Sequence, residues 1–224
     1  AKGQQTFYGI WDWDMSWWNS HSNAKYASLA SGSITRSNLL AQTLVAPPSP
    51  SDLTHRYLDN TKVVCWQGDP ASAACSAPSQ YGWMFDLPDT GPTSGSLLGQ
   101  QEQIIYNPTY IEGAIVVNTA IPPTISAAQC NPGLQSGWTM AFDPASGGGF
   151  QQGYFPDGGG GFSGGSSTVG GTQLSGVGTP TSVQYGGKNY LVTQTITGAA
   201  KLLPTNPPSM ANPSRVSWRE LVNP

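Results

Sequence analysis

Pairs of aspartates are the residues of this chain whose type and spacing could perform acid–base chemistry. Hydrolysis of a glycosidic bond needs two carboxyl groups about 5–10 Å apart, one to donate a proton and one to act as base or nucleophile. Most of the aspartates in this chain stand at the ends of predicted strands beside Pro or Gly, where Asp usually caps a turn. We therefore interpret them as structural residues and predict that the chain is not an enzyme. The candidate pairs are Asp12/Asp14, Asp86/Asp89 and Asp143/Asp157.

Two other kinds of reactive site have equally weak support in the sequence. The one loose match to the Gly-x-Ser-x-Gly nucleophile motif, at residues 161–165, lies in a Gly-rich stretch rather than between a strand and a helix. Neither His21 nor His55 stands at a zinc-like spacing from a cysteine. The sequence therefore predicts no catalytic residue and no metal ligand.

The three cysteines indicate an oxidising compartment. Cys65 and Cys75 lie on either side of a short stretch rich in Gly, Pro, Ala and Ser, so we predict a local disulfide between them. Cys130 is then left over. Either its partner lies in polypeptide outside this chain, or it is a buried free thiol.

A cluster of tryptophans near the start of the chain could bind a ligand. Alternation places Trp11 and Trp13 on the same face of one strand, which favours a role in the core. The pair that follows is flanked by polar residues, so it either stacks on a sugar, fills a pocket of a partner or anchors its own loop. The predicted ligand-binding residues are Trp17, Trp18, Asn19 and His21.

The composition is typical of a secreted β-protein. Only 9% of the 224 residues are charged, against roughly 25% in an average soluble domain, while Gly (28) and Pro (19) are abundant. The net charge is −3 and no basic run occurs, which excludes a nucleic-acid-binding surface. No apolar stretch approaches the ~20 residues that span a bilayer.

Strand signals dominate the chain, and no segment has the period of an amphipathic helix. Gly186-Gly187 between two alternating segments predicts a hairpin with a type I′ turn. Residues 102–107 and 110–121 form a second predicted hairpin, with a further tight turn at residues 111–113. The predicted strands are 5–13, 81–88, 102–107, 110–121, 137–143, 183–197 and 215–222.

Three segments repeat one pattern, from Gly through a Trp-containing apolar stretch to Asp. They begin at Gly9, Gly82 and Gly137, at intervals of about 55–75 residues, and such a period is typical of propeller blades. The intervals exceed a usual blade, so we predict loop insertions at about 12–35 and 144–187. Three or four blades cannot close a ring, and we therefore expect other polypeptide to supply the remainder of the propeller.

The second predicted insertion is Gly-rich, but aromatic residues recur in it. Composition alone would make it a flexible linker. Because aromatic side chains are rarely left in solvent, we instead expect an ordered loop that lies on the surface of a partner. The aromatic residues are Phe150, Tyr154, Phe155 and Phe162.

Several blocks, in this order, resemble the C-terminal domain of the type IV pilus tip adhesins called PilY or PilC. The resemblance implies an all-β fold in which residues 1–224 form the C-terminal blades of a modified β-propeller with long loop insertions. It also implies an extracellular protein at the pilus tip or outer cell surface of a bacterium, acting in adhesion, pilus biogenesis and twitching motility. Its implied partners are minor and major pilins and a host or abiotic surface. The blocks are residues 5–12, 36–43, 82–88, 102–107 with 113–122, 137–143 and 215–221.

The family often carries a calcium loop, and its acidic ligands are largely missing here. At the matching place, residues 154–162, Asp157 is the only carboxylate, whereas calcium takes 6–8 oxygen ligands. We therefore predict no cofactor. Residues 137–147 also resemble the Trp-containing repeat of pyrroloquinoline quinone dehydrogenases, but the scarcity of acids argues against that alternative. A purely structural scaffold at the fibre tip is a third hypothesis.

Overall fold

The computed structural model describes residues 4–10, 34–88, 101–122, 136–174, 178–194 and 199–208. Within these ranges the only helix is a single 3-10 turn, Arg36–Asn38, so the prediction of an all-β chain is confirmed. The strands are β1 (Thr6–Ile10), β2 (Leu40–Gln42), β3 (Leu44–Val45), β4 (His55–Asp59), β5 (Gly82–Asp86), β6 (Gln103–Ile104), β7 (Thr109–Ile111), β8 (Ala114–Ala120), β9 (Gly137–Phe142), β10 (Ser167–Leu174), β11 (Thr181–Tyr185), β12 (Lys188–Gln194) and β13 (Ala200–Thr205).

The strands form three sheets that curl into a half-barrel. The central sheet has the order β3-β4-β10-β9-β8-β6, and β7 also pairs with β8. The first sheet is β1-β5-β2, and the third sheet is β11-β12-β13. The short segment 40–45 links the first two sheets, because β2 runs parallel to β5 and β3 runs antiparallel to β4.

The central sheet is buried on both faces, which explains why nearly every residue of β8 and β9 is buried rather than every second one. On β8, Val116 packs into one cluster with Leu191 and Leu203 of the third sheet. The next residue, Val117, points the other way and packs with Phe85 of the first sheet. The third sheet and the first sheet therefore pack on opposite faces of the central sheet.

Both predicted hairpin turns are confirmed. Gly186 and Gly187 join β11 to β12 with φ angles of 58° and 73°, the left-handed pair that a type I′ turn requires. The turn predicted at residues 111–113 joins β7 to β8, where Glu112 and Gly113 have φ angles of 47° and 88°. Each turn fixes the register of its hairpin.

The Gly-rich segment 144–187 differs from the sequence expectation because it contains β10, a central strand. A side chain at Gly170 would collide with Leu58, and one at Gly171 would collide with Met140, so close packing requires both glycines. The ordered loop ends before β10. Its aromatic residues Tyr154 and Phe155 are buried in this chain's own core, which corrects the expectation that they lie on a partner.

A buried ion pair crosses the core beside the central sheet. The guanidinium of Arg56 on β4 donates to both carboxylate oxygens of Glu102, at 2.7 and 2.6 Å. Both side chains are fully buried, and the guanidinium lies 4.2 Å from the ring centroid of Trp138. Such a pair is stable only when its hydrogen bonds compensate the loss of hydration.

The predicted disulfide between Cys65 and Cys75 is confirmed, with the two Cα atoms 5.3 Å apart. It closes a short loop, and backbone hydrogen bonds between Ser72 and Cys75 also fold this loop. Cys130 lies outside the described residues, and so do Trp11, Trp13 and the predicted closing strand 215–222. Across the described ranges, no helix has the length and apolar character needed to cross a bilayer.

Reduction of the Cys65–Cys75 bond should lower the free energy of unfolding by about 2–3 kcal/mol, because the open chain regains the entropy of a short loop. Urea denaturation with and without a reducing agent measures the difference. The variant with both cysteines replaced by serine should match the reduced protein. An unchanged midpoint of the urea transition would mean that the backbone hydrogen bonds hold this loop in place without the disulfide.

Candidate binding cleft

Asp52 is the polar centre of a turn that leads into β4. Its N–H donates to the carbonyl of Ser49 at 3.0 Å, and its Oδ1 accepts from the backbone N–H groups of Thr54 and His55, at 3.1 and 3.2 Å. A short Asp side chain can reach the backbone two and three residues further on, which makes this a stable start for a strand. The turn fixes the carboxylate just before the start of β4.

Two side chains of β4 hold the same carboxylate. The Nδ1 of His55 lies 2.9 Å from Oδ1, and the hydroxyl of Tyr57 donates to Oδ2 at 3.2 Å. Burial pushes the pKa of Asp52 upward, but the hydrogen bonds from His55 and Thr54 outweigh it, so the pKa is lowered overall. Burial and the nearby charge of Asp52 raise the pKa of Tyr57 to about 12. At neutral pH Asp52 is therefore an anion and Tyr57 a neutral donor.

Asp157 stands in the Gly-rich loop and organises it. Its Oδ1 accepts from the N–H groups of Gly159 and Gly161, at 2.9 and 3.1 Å, and its Oδ2 accepts from the hydroxyl of Ser163. Gly160 has a φ of +81°, which lets the loop turn back so that the N–H of Asp157 donates to the carbonyl of Gly161 at 2.7 Å. The hydrogen bonds from Ser163 and then Gly161 lower the pKa of Asp157.

The two aspartates lie on the walls of one cleft, which we call the Asp52–Asp157 cleft, with a volume of about 660 Å³. Two anionic groups and several serine hydroxyls favour a polar ligand with hydroxyl or ammonium donors, and they disfavour an anionic ligand. The walls are formed by Pro48, Ser49, Ser51, Asp52, Tyr57, Asp157, Gly158, Gly159, Ser163, Gly164, Ser167, Thr168 and Val169.

The Gly-rich loop does not fit a calcium ion. Calcium needs 6–8 oxygen ligands, whereas the N–H groups of Gly159 and Gly161 point at the only carboxylate of this loop. These two donors bind Oδ1, and the hydroxyl of Ser163 binds Oδ2, so both oxygens that a cation would need already accept hydrogen bonds. Elsewhere in the described part of the chain, no three His, Cys, Asp or Glu side chains come together as metal ligands would.

The described aspartates of the three predicted acid pairs act within turns and at strand ends. Asp86 binds the guanidinium of Arg36 with both oxygens, at 2.9 and 2.6 Å. Asp143 accepts from the N–H of Ala145 at 3.0 Å and from the hydroxyl of Ser146 at 2.9 Å. Asp143 lines a second cleft, of about 640 Å³, so it does not share the Asp52–Asp157 cleft with its predicted partner Asp157.

The other predicted site residues lie outside the described residues. Conversely, sequence reasoning missed Asp52 and Tyr57, and it considered His55 only as a zinc ligand. Asp52 precedes Thr54 by two positions and His55 by three, which is the spacing of an Asx turn. This local pattern could have identified Asp52 from the sequence. The predicted residues that lie outside are Trp17, Trp18, Asn19, His21, Asp12, Asp14 and Asp89.

Replacing Asp157 by Asn should release the loop, because the neutral amide holds the N–H donors of Gly159 and Gly161 less strongly. In the native protein the lowered pKa means that the loop is stabilised at neutral pH and loses this stabilisation only as pH falls below the ordinary value of 3.8. Amide hydrogen exchange of both glycines against pH tests this, with the amides of β12 as internal control. If the amides of both glycines lost their protection from exchange above pH 5, this result would contradict a lowered pKa of Asp157.

The fold of this chain resembles that of a known protein domain. No protein-family model matches this chain, and no curated protein matches it. Among solved structures, it is similar to the crystal structure of the C-terminal domain of PilY1 from Pseudomonas aeruginosa, with a TM-score of 0.51 and 21% sequence identity. The fold is part of a β-propeller-like domain. The match covers 91% of this chain and 37% of the PilY1 chain, so this chain spans just over a third of that length.

The structural likeness agrees with the sequence resemblance to the PilY or PilC domains and confirms it at the level of the fold. The repeated segments that begin at Gly82 and Gly137 form β5 and β9, and the first begins at Gly9, close to the end of β1. Of these, β1 pairs with β5 in the first sheet, while β9 lies in the central sheet. The assignment of residues 1–224 to the C-terminal part of a propeller and the two insertions, at about 12–35 and 144–187, stay predictions.

Proposed function

We propose that this chain belongs to a non-enzymatic component of a bacterial type IV pilus. In this proposal it lies outside the cell, at the pilus tip or outer surface, and works in pilus assembly and attachment. It binds a host or abiotic surface through its loops and docks on minor and major pilins. The observation that carries the proposal is the likeness to the PilY1 C-terminal domain over 91% of this chain.

The arrangement of the described acids supports a binding role over catalysis. Asp86, Asp143 and Asp157 each accept hydrogen bonds from neighbouring turns or strands, which leaves their oxygens engaged in structure. General acid–base catalysis needs a carboxyl group free to exchange its proton with the substrate. A scan of the visible absorption of the purified protein for bound quinone tests the dehydrogenase alternative.

We propose the Asp52–Asp157 cleft as a binding surface in addition to the predicted ligand-binding residues Trp17 and Trp18. Its serine hydroxyls can donate hydrogen bonds to the hydroxyls of a sugar and accept hydrogen bonds from them. The variant Ser51→Val removes one lining hydroxyl outside the internal network of Asp52. We expect weaker retention on immobilised polysaccharide, while the exposed control variant Val63→Thr should bind as the native protein does.

We also propose that the protein folds without calcium. The donor geometry around Asp157 supports this, since two N–H groups donate to the carboxylate oxygen that a cation would bind. Melting temperatures in millimolar calcium and in a chelator should agree. A melting temperature that rises with calcium would contradict the proposal and indicate a site elsewhere in the chain.

Deletion of the gene in the source bacterium tests the pilus role directly. We expect fewer surface pili by electron microscopy, weaker attachment and smaller twitching zones, with all three restored by the native gene. Deletion of residues 13–35 should reduce attachment while pili remain. Normal piliation, attachment and twitching without the gene would contradict the proposal, and native attachment after the short deletion would remove the receptor role from that loop.

A further inference from the structure

The third sheet ends in an edge strand, β11, that the rest of the described chain leaves uncovered. Among the described strands β11 pairs with β12 alone, and all five of its residues are exposed. By contrast, β12 buries Leu191 in the core cluster that it shares with the central sheet. The hairpin therefore extends beyond the core, and its outer strand is accessible from both faces and along its free edge.

The register of the hairpin determines which backbone groups point to that free edge. A two-residue turn makes the flanking residues, Tyr185 and Lys188, a hydrogen-bonded pair. Because such pairs alternate along an antiparallel ladder, Val183 also bonds to β12, while the N–H and C=O groups of Ser182 and Gln184 point away from it. Within the described part of the chain, these outward groups have no hydrogen-bond partner.

Proteins usually protect a sheet edge against pairing with another chain, and most of the other described edges show the usual devices. The strands β2, β3, β6 and β7 have only two or three residues each. A charge and a proline, Lys201 and Pro204, stand in β13, and both disfavour a further strand. Five residues form β1, but only two of them are exposed. By contrast, β11 is five residues long, uncharged, free of Pro and Gly, and exposed throughout.

We propose that β11 pairs with β11 of a second copy of this chain, antiparallel and about a two-fold axis at Val183. The strand is self-complementary in this register, because Ser182 of one copy faces Gln184 of the other. Each of the two such pairs exchanges both an N–H and a C=O. All the outward backbone groups of these two residues therefore find partners, which no smaller overlap of the two strands achieves.

The side chains at this junction also fit one another. Val183 meets its own counterpart at the axis, and Thr181 lies opposite Tyr185 on each side of it. Cross-strand pairs of β-branched and aromatic residues stabilise antiparallel sheets, and no like charges come together here. Val183 is 40% exposed and Tyr185 78%, so both have surface to bury. The two third sheets then form one continuous sheet, and Leu202, which is 56% exposed, extends its apolar outer face.

The expected dimer is weak and reversible. One strand edge buries less than the roughly 1,200–2,000 Å² of a stable interface, so we expect dimers to form as the concentration rises from about 10 µM to about 1 mM. Paired copies bring two Asp52–Asp157 clefts into one assembly, which would strengthen attachment to a polymer with repeated binding units. That consequence rests on the proposed function, whereas the pairing itself depends only on the fold.

A charge swap at the axis tests this pairing specifically. Val183→Glu and Val183→Lys each place two like charges opposite each other, so we expect either variant alone to dimerise about tenfold more weakly. An equimolar mixture should recover the dimer, because a carboxylate then faces an ammonium group. Analytical ultracentrifugation of the 224-residue chain measures this. As controls, Leu53→Glu and Leu53→Lys change a 48% exposed position before β4 and should dimerise as the native chain does.

The variant Ser182→Pro tests the backbone part of the pairing. Proline removes an N–H that points to the free edge and none that bonds to β12, so the fold tolerates it. We expect the melting temperature in dilute solution to stay close to that of the native chain, while the dimer weakens several-fold. The control variant Ser182→Thr keeps the N–H and should dimerise normally.

Three outcomes would overturn the proposal. A native chain that stays monomeric over the whole concentration range would exclude the dimer. A dimer that neither charged variant of Val183 weakens would lie at another surface. Slow hydrogen exchange of the Ser182 and Gln184 amides in the monomer would show that this edge is already occupied. Loss of polysaccharide retention with the dimer intact would, by contrast, count against the proposed function alone.

Discussion

Replacement of Glu102 by alanine should lower the free energy of unfolding by about 3–5 kcal/mol, a large share of the roughly 5–15 kcal/mol that stabilises a typical domain. The variant removes the carboxylate that compensates the charge of Arg56, while the guanidinium stays buried beside Trp138. Urea denaturation followed by circular dichroism measures the change.

The control for Glu102 is a surface ion pair in the same chain. Lys62 lies 3.9 Å from Asp59, and its side chain is 37% exposed, so Lys62→Ala should cost about 1 kcal/mol or less. Replacing both buried partners, with Arg56→Met and Glu102→Leu, should restore much of the stability, because a buried pair can be exchanged for apolar side chains of similar volume. A loss below about 1 kcal/mol for Glu102→Ala would mean that water reaches the guanidinium.

Replacement of Trp83 by alanine should cost a similar amount, about 3–5 kcal/mol, because it leaves a large cavity between the first and central sheets. Trp83 is 1% exposed, and its Nε1 donates to the carbonyl of Pro144 at 2.9 Å. Its ring centroid lies 5.4 Å from that of Phe7 and 6.1 Å from that of Phe142. One side chain therefore joins two sheets and the turn after β9.

Two further variants separate the packing of Trp83 from its hydrogen bond. Trp83→Phe keeps most of the apolar contact and loses the Nε1 donor, so we expect a smaller loss, of about 1–3 kcal/mol. Tyr110→Ala changes an exposed aromatic residue on β7 and should stay within about 0.5 kcal/mol of the native protein. Equal losses for the alanine and phenylalanine variants of Trp83 would mean that the hydrogen bond, rather than packing, carries the effect.

Elements with strong local signals could be predicted from the sequence. The Gly186-Gly187 turn supplies two residues with positive φ, and this local requirement is independent of the rest of the fold. The alternating residues beside it fix β11 and β12. The disulfide was predictable for the same reason, since Cys65 and Cys75 are close in sequence.

Two of the strands that the sequence analysis missed, β4 and β10, contain residues that only the packing of the folded chain explains. Gly170 and Gly171 weaken the strand signal of β10, yet Leu58 and Met140 leave no room for larger side chains there. Likewise, β4 carries Arg56, a residue that indicates an exposed position until its buried carboxylate partner is known. In both cases a distant neighbour decided what the local pattern could not.

One part of the candidate site could likewise be predicted from the sequence, and another part could not. The sequence identified Asp157 and the shortage of calcium ligands around it, because the ligands of a calcium loop are close together in the chain. The Asp52–Asp157 cleft is formed by segments that are far apart in the sequence, and its volume depends on how β4 and β10 pair. No local pattern contains that pairing.

The sequence by itself determined the all-β class, the hairpin turns, the disulfide and the low charge, because each depends on residue type and near neighbours. The tertiary structure alone decided that the central sheet is buried on both faces, that Arg56 meets Glu102, and which face of the third sheet is left apolar and exposed. These properties depend on which distant surfaces pack together. Such packing brings together residues that are far apart in the sequence, so no short stretch of the sequence contains the information that determines it.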